Sequence, residues 1–122
     1  MTVRVRNVVI DCKDPKGLAA FWAAVLESYQ MQGSGDDWAA IIDRDRRSPR
    51  IYFQKVPEPK AVKNRVHLDF NVDDAEVEAT RIEALGGKID MRIEEGDDRW
   101  IVMIDPEGNE FCIQHGPEPW YE

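Results

Sequence analysis

Apolar and polar positions alternate along residues 3–11, where Val8 and Ile10 stand between Asn7, Val9 and Asp11. A period of two predicts a strand with two unlike faces. Asp14-Pro15 follows. An aspartate accepts hydrogen bonds from the free N–H groups of a first helical turn, and proline suits the first helical position, so a helix should begin there. Leu18, Phe21, Trp22, Val25 and Leu26 then recur at helical spacing and mark its buried stripe. Core packing accounts for Phe21 and Trp22 without a cofactor role. Three short extended segments are expected at residues 29–32, 38–42 and 51–55, separated by polar breakers at 33–37 and 43–49. Pro57-Glu58-Pro59-Lys60 reads as a linker, because proline withholds a backbone donor and stops a sheet.

The same order then recurs. Residues 66–72 predict a strand with Leu68 and Phe70 on one face and His67, Asp69 and Asn71 on the other. Asp73-Asp74 can cap a helix running to Leu85, and Gly86-Gly87 can end it. Its stripe of Ala75, Ala79, Ile82 and Leu85 is weaker than that of the first helix. Extended segments are expected at 88–94, 100–104 and 110–114, with a turn from Asp105 to Asn109 between the last two. The halves align at an offset of 60 residues, which puts Asn7 on His67, Asp11 on Asn71, Asp14 on Asp74 and Ala19 on Ala79. This predicts one α+β domain of two βαβββ modules, about 1–56 and about 65–116, with a linker at 57–64 and a tail at 117–122.

The bulk properties narrow the partners. The 122 residues are 43% hydrophobic and 33% charged, enough for a core and a well-solvated surface. A net charge of −8 repels phosphate backbones and anionic membrane surfaces, so neither nucleic acid nor membrane is an expected partner. Arg44, Arg46 and Arg47 are too short a cluster to alter this and read as a solvated loop. No apolar run approaches the roughly 20 residues of a membrane span, and no signal-peptide core precedes Asp11. Cys12 and Cys112 are too few for a disulfide scaffold, which points to a reduced, cytoplasmic protein.

At Asn64-Arg65-Val66-His67-Leu68-Asp69-Phe70 and at Asp105-Pro106-Glu107-Gly108-Asn109-Glu110-Phe111-Cys112 the chain resembles the vicinal oxygen chelate superfamily, in its glyoxalase-like branch. The likeness extends through Asp14-Pro15, Phe21-Trp22 and Arg99-Trp100, in order and spacing. It implies a glyoxalase/bleomycin resistance/dioxygenase-like fold, in which mixed, mostly antiparallel sheets curl into a cup. It also implies frequent homodimers. In metal-using members the cup holds a divalent ion that chelates adjacent substrate oxygens as a Lewis acid. Its ligands, usually His, Glu or Gln, come from the first and last strand of each module.

Those positions here carry Asn7, then Tyr52 or Gln54, then His67, then Cys112. The repeat offset favours Tyr52 and side-chain chemistry favours Gln54. Only His67 is a strong match, and no aligned position has the carboxylate that a hard ion wants. Zinc would accept His67 and Cys112, short of its usual ligand count. No cofactor is therefore expected; if one divalent metal ion binds, His67, Gln54 and Cys112 are its candidate ligands.

Strand parity sends Asn7, Asp11, Tyr52, Gln54, His67, Asp69, Asn71, Cys112 and Gln114 to the cup side, and all of these but Asn71 are named as candidate small-molecule contacts. A sheet face open to solvent would look the same. His67 is the candidate catalytic group, and Asp11 or Asp69 could act as a base if buried. No neighbouring feature marks Cys112 as a nucleophile. Trp38 and Trp100 are expected in or at the rim of the sheet, and Trp120-Tyr121 over an edge or in a loose tail. The expected function is a glyoxalase-like protein that binds or transforms a small organic molecule without the usual metal, as a lyase or isomerase if an enzyme. Non-catalytic sequestration of a drug or antibiotic is one alternative. A metal-dependent lyase, isomerase or dioxygenase is the other.

Overall fold

The alternation around Val8 and Ile10 forms β1 (Asn7–Cys12) in the computed structural model, which describes residues 2–115. Asp14 caps α1 (Pro15–Val25), its carboxylate accepting from the Gly17 N–H at 3.2 Å. There follow β2 (Tyr29–Ser34), β3 (Trp38–Asp43) and β4 (Arg50–Lys55). The second half repeats this with β5 (Asp69–Asn71), α2 (Ala75–Leu85), β6 (Lys88–Glu95), β7 (Asp98–Ile104) and β8 (Glu110–Gln114). Asp74 caps α2 by accepting from the N–H groups of Glu76 and Val77, and Gly86 ends it at a φ of 116°, a left-handed conformation that suits glycine.

The chain divides into two compact units, Met1–Ala61 and Val62–Glu122. Each holds one open four-stranded sheet, ordered β1-β4-β3-β2 in the first and β5-β8-β7-β6 in the second. In each, the first and last strands pair in parallel and the other pairs are antiparallel. The α+β class and the repeated strand-helix-three-strand order are thus as the sequence predicts. The 60-residue offset also holds at the level of pairing. Val9 lies opposite Tyr52, and Asp69 lies opposite Cys112. Tyr52, not Gln54, is therefore the counterpart of Cys112.

Two strands are shorter than their alternation suggests. Val3 and Val5 are 96% and 71% exposed, and β1 starts at Asn7, where β4 first offers a partner. Likewise Val66 is 79% exposed and β5 starts at Asp69, so His67 precedes the strand instead of lying within it. The tail with Trp120-Tyr121 lies outside the described residues. No described helix is long and apolar enough to cross a membrane.

Each helix covers one face of its own sheet. In the first unit Leu18, Phe21, Trp22 and Val25 are buried with Ile41, Ile51 and Phe53. In the second, Ile82 and Ala79 are buried with Ile101, Met103, Phe111 and Ile113. Two buried aspartates organise the turns before the last strands. Asp43 accepts from the N–H groups of Asp45, Arg47 and Ser48, and Asp105 from those of Glu107 and Asn109. Such bonds satisfy donors that the turn would otherwise strand.

Because α2 buries only Ala79 and Ile82 while α1 buries a full stripe, α2 is held by fewer apolar contacts. Its amides should exchange with solvent before those of α1, and Ile82→Ala should cost about 2–5 kcal/mol in urea unfolding. Asp43 yields a pH prediction. Burial by itself would raise its carboxyl, but the N–H bonds from Asp45, Arg47 and Ser48 outweigh this and hold it below its ordinary 3.8. A lowered folded value means stability that is present above the ordinary value and lost as the pH falls through the lowered one. Unfolding measured from pH 6 downward should show this loss, and Asp43→Asn should flatten that part of the profile.

Candidate functional site

Strand parity and the helix on one side leave each sheet a second, polar face. In the first unit, parallel register places Asn7 beside Arg50, Val9 beside Tyr52 and Asp11 beside Gln54. The amide of Gln54 donates to Asp11 Oδ1 at 2.8 Å. The guanidinium of Arg50 donates from Nε to Asn7 Oδ1 at 3.0 Å and from a terminal nitrogen to Gln32 Oε1 at 3.1 Å. Its carbon lies 5.7 Å from the centroid of the Tyr52 ring. Tyr52 in turn stacks on Trp38, with centroids 5.8 Å apart and planes 1° from parallel. Trp38 is 37% exposed, and its indole Nε1 lies against the Gly35 backbone so closely that a Cβ there would push the ring aside.

In the second unit the register brings Asp69 beside Cys112. His67 Nδ1 lies 3.5 Å from Asp69 Oδ1, and one ligand atom from each of His67, Asp69 and Cys112 fits within 4.8 Å. His67 and Asp69 are exposed and Cys112 is buried. The thiol of Cys112 is pushed up to about 11, first by burial and then by the Asp69 carboxylate, whose charge and hydrogen bond both favour the protonated form. Cys112 is thus a neutral thiol donating to Asp69 at physiological pH. It is poorly suited to attack an electrophile. Gln114 is half-buried on β8, between Asn71 and Trp100 in register.

The structure therefore groups Asn7, Asp11, Tyr52 and Gln54 on one face of the first sheet and joins His67, Asp69 and Cys112 in the second unit. It also adds to these residues. Asp69 stands with the candidate ligands His67 and Cys112, and in the first unit the Gln54 amide donates to Asp11. Arg50 and Gln32 were not among the sequence candidates. Parity with Tyr52 could have flagged Arg50, because residues two apart on a strand share a face. A separate hollow of about 510 Å³ lies beside the start of α2, lined in part by Glu76, Arg92, Trp100 and His115. Its walls are ion-paired, with Arg92 bidentate to Glu76.

A family model described as a glyoxalase-like domain matches residues 7–114. No curated protein matches the sequence. Among solved structures, the chain is similar to a mutant of the fosfomycin resistance protein FosX of Listeria monocytogenes in complex with Mn(II) and a dihydroxypropylphosphonic acid. That match has a TM-score of 0.77 at 17% identity and covers 97% of this chain and 94% of that one. It is also similar to a glyoxalase/bleomycin resistance protein/dioxygenase family enzyme of Burkholderia phytofirmans, at a TM-score of 0.67, 21% identity and coverage of 89% and 95%. A third is the lactoylglutathione lyase of Agrobacterium tumefaciens, at a TM-score of 0.66, 15% identity and coverage of 95% and 96%. At these identities the likeness concerns the fold.

The state of Cys112 can be tested directly. Iodoacetamide labelling followed by peptide mass spectrometry should be slow at pH 8 and rise toward an inflection near 11. Asp69→Asn removes the carboxylate that favours the thiol form and should move that inflection down. An unchanged profile in the variant would contradict the pairing.

Proposed function

The chain belongs to the glyoxalase-like domain family, and on that premise we propose that it binds, and in the fuller form of the reading transforms, a small organic molecule on the polar faces of its sheets without the divalent metal of the metal-using members. One observation carries the metal-free part. The two positions of the first unit that correspond to metal donors, Asn7 and Tyr52, both attend the guanidinium of Arg50. A divalent ion at these side chains would meet a positive charge, a neutral amide and a phenol, with no carboxylate at either position. The family's donor set does not fit there, so no step is routed through a metal.

His67, Asp69, Asn7, Asp11, Tyr52, Gln54, Cys112 and Gln114 are the proposed contact residues. His67 is the proposed acid or base, with Asp69 at 3.5 Å to orient it. Sequestration without turnover uses the same contacts and dispenses only with the proton transfer. A homodimer remains part of the proposal.

A specific observation favours the metal-dependent alternative. His67, Asp69 and Cys112 are an imidazole, a carboxylate and a thiol within 4.8 Å, a mixed set that zinc accepts. The two readings part on elemental analysis of untagged protein. The metal-free reading expects far less than one equivalent of zinc, nickel, iron or manganese, and no change in His67→Ala. One equivalent that disappears in His67→Ala would overturn it and make His67, Asp69 and Cys112 the ligands.

A further inference from the structure

The polar face of the first unit carries a cation whose hydrogen-bond partners, among the described residues, are not carboxylates. The chain has 24 acidic and 16 basic residues, and Arg81, Arg92 and Arg99 each pair with a carboxylate, of Glu78, Glu76 and Glu94. Arg50 instead bonds two neutral amides, Asn7 and Gln32, and lies over the Tyr52 ring. Among the described residues, no salt bridge reaches it. Amide oxygens orient a guanidinium without neutralising it, and they leave its remaining N–H donors available.

What adjoins this charge is flat and apolar. The guanidinium, the Tyr52 phenol and the Trp38 indole stand side by side along one face, with spacings of 5.7 Å and 5.8 Å. The row is held at both ends. Asn7 and Gln32 fix the guanidinium, and the Gly33 and Gly35 backbone lies against the indole, where a Cβ on Gly33 would come within 3.1 Å of Trp38 Cη2. A fixed positive fork continuous with a fixed aromatic edge matches one ligand chemistry: a planar carboxylate, its oxygens on the guanidinium and its ring along the aromatic edge.

We infer that the first unit holds a subsite for a small aromatic carboxylate, with Arg50 taking the carboxylate and Tyr52 and Trp38 taking the ring. The inference rests on the small-molecule reading above and narrows its ligand to an anion. It assigns Arg50 the specificity-determining role, since a neutral isostere would leave the oriented guanidinium desolvated and unmet.

The test is a nuclear magnetic resonance titration of 15N-labelled full-length chain with sodium benzoate, against benzamide, acetate and sulfate at matched ionic strength. Benzoate should shift the Arg50 Nε–H and Trp38 indole N–H resonances saturably. Benzamide and acetate should each bind about tenfold or more weakly, since each lacks one half of the match. Arg50→Gln should weaken benzoate about tenfold or more while sparing the weak binding of benzamide. If that variant fails to fold, Gly35→Ala serves instead: by displacing Trp38 it should shrink the preference for benzoate over acetate.

Equal binding of benzoate and benzamide would overturn the inference. So would undiminished benzoate affinity in Arg50→Gln, or the same shifts with sulfate, which would mark an adventitious anion only. A neutral compound that shifts the His67 ring resonances while benzoate leaves Arg50 unmoved would remove the carboxylate and keep the small-molecule reading. A fragment library that perturbs neither sheet face would remove both.

Discussion

Parallel pairing between the first and last strand of each unit is the constraint from which the polar faces follow. A parallel pair sets residues side by side in register, and alternation along a strand then decides which of them share a face. Burial of Ile51 and Phe53 in one unit, and of Phe111 and Ile113 in the other, locks the choice. A slip of one residue would bring these side chains out and carry Tyr52, Gln54 and Gln114 under the helices. Exposing a single phenylalanine costs about 1.5–3 kcal/mol, and burying an unmatched polar group costs about as much again. Several such terms act together on each strand, so the register is fixed by the core, and the composition of the polar face comes as its consequence.

With a common frame, the two units have diverged in what that face carries. Where the first has Val9 beside Tyr52, the second has Asp69 beside Cys112. At the same offset Asn7 corresponds to His67 and Arg50 to Glu110, a reversal of charge. Glu110 accepts from the backbone N–H of Asn64 at 3.0 Å, whereas Arg50 reaches across β1 to Asn7. One face is thereby cationic and aromatic, the other a cluster of imidazole, carboxylate and thiol. The same backbone frame thus carries two different side-chain chemistries, because the register fixes which positions share a face and leaves their identities open.

Much of this was legible in the chain. Asp14-Pro15, Asp74 and Gly86 marked helix ends because capping is local chemistry, readable over three or four residues. The buried side of β4, Ile51 and Phe53, followed from alternation, whereas in β1 Val8 and Ile10 are only half-buried and in β8 Phe111, Cys112 and Ile113 are buried in succession. Alternation, however, reports a side-chain pattern and not a partner, so Val3, Val5 and Val66 looked like strand where no neighbouring strand reaches them. The same blindness left Tyr52 and Gln54 as rivals until the register paired Val9 with Tyr52. Arg50 was missed for a related reason. An isolated arginine just after Arg44, Arg46 and Arg47 reads as more of the same solvated loop, and its bonds to Asn7 and Gln32 span 43 and 18 residues. Asp43 looked like a breaker, although its carboxylate is buried and organises the turn.

The acidity of the chain and a cationic subsite are compatible once range is considered. A net charge of −8 disfavours polyanions, whose many phosphates must all approach the surface. A small monoanion samples one locality. At physiological salt the screening length is about 8 Å, so exposed carboxylates farther away act only weakly on it. Asp11 shares the face with Arg50, but it lies four residues along β1 from Asn7, roughly 13 Å at ~3.3 Å per residue, and the Gln54 amide already engages it. What a monoanion meets at Arg50 is therefore set by the groups in contact: two amides, a phenol and a guanidinium whose charge they leave intact. Global charge tells which large partners to discount, and the local partners of a single side chain tell which small ones to consider.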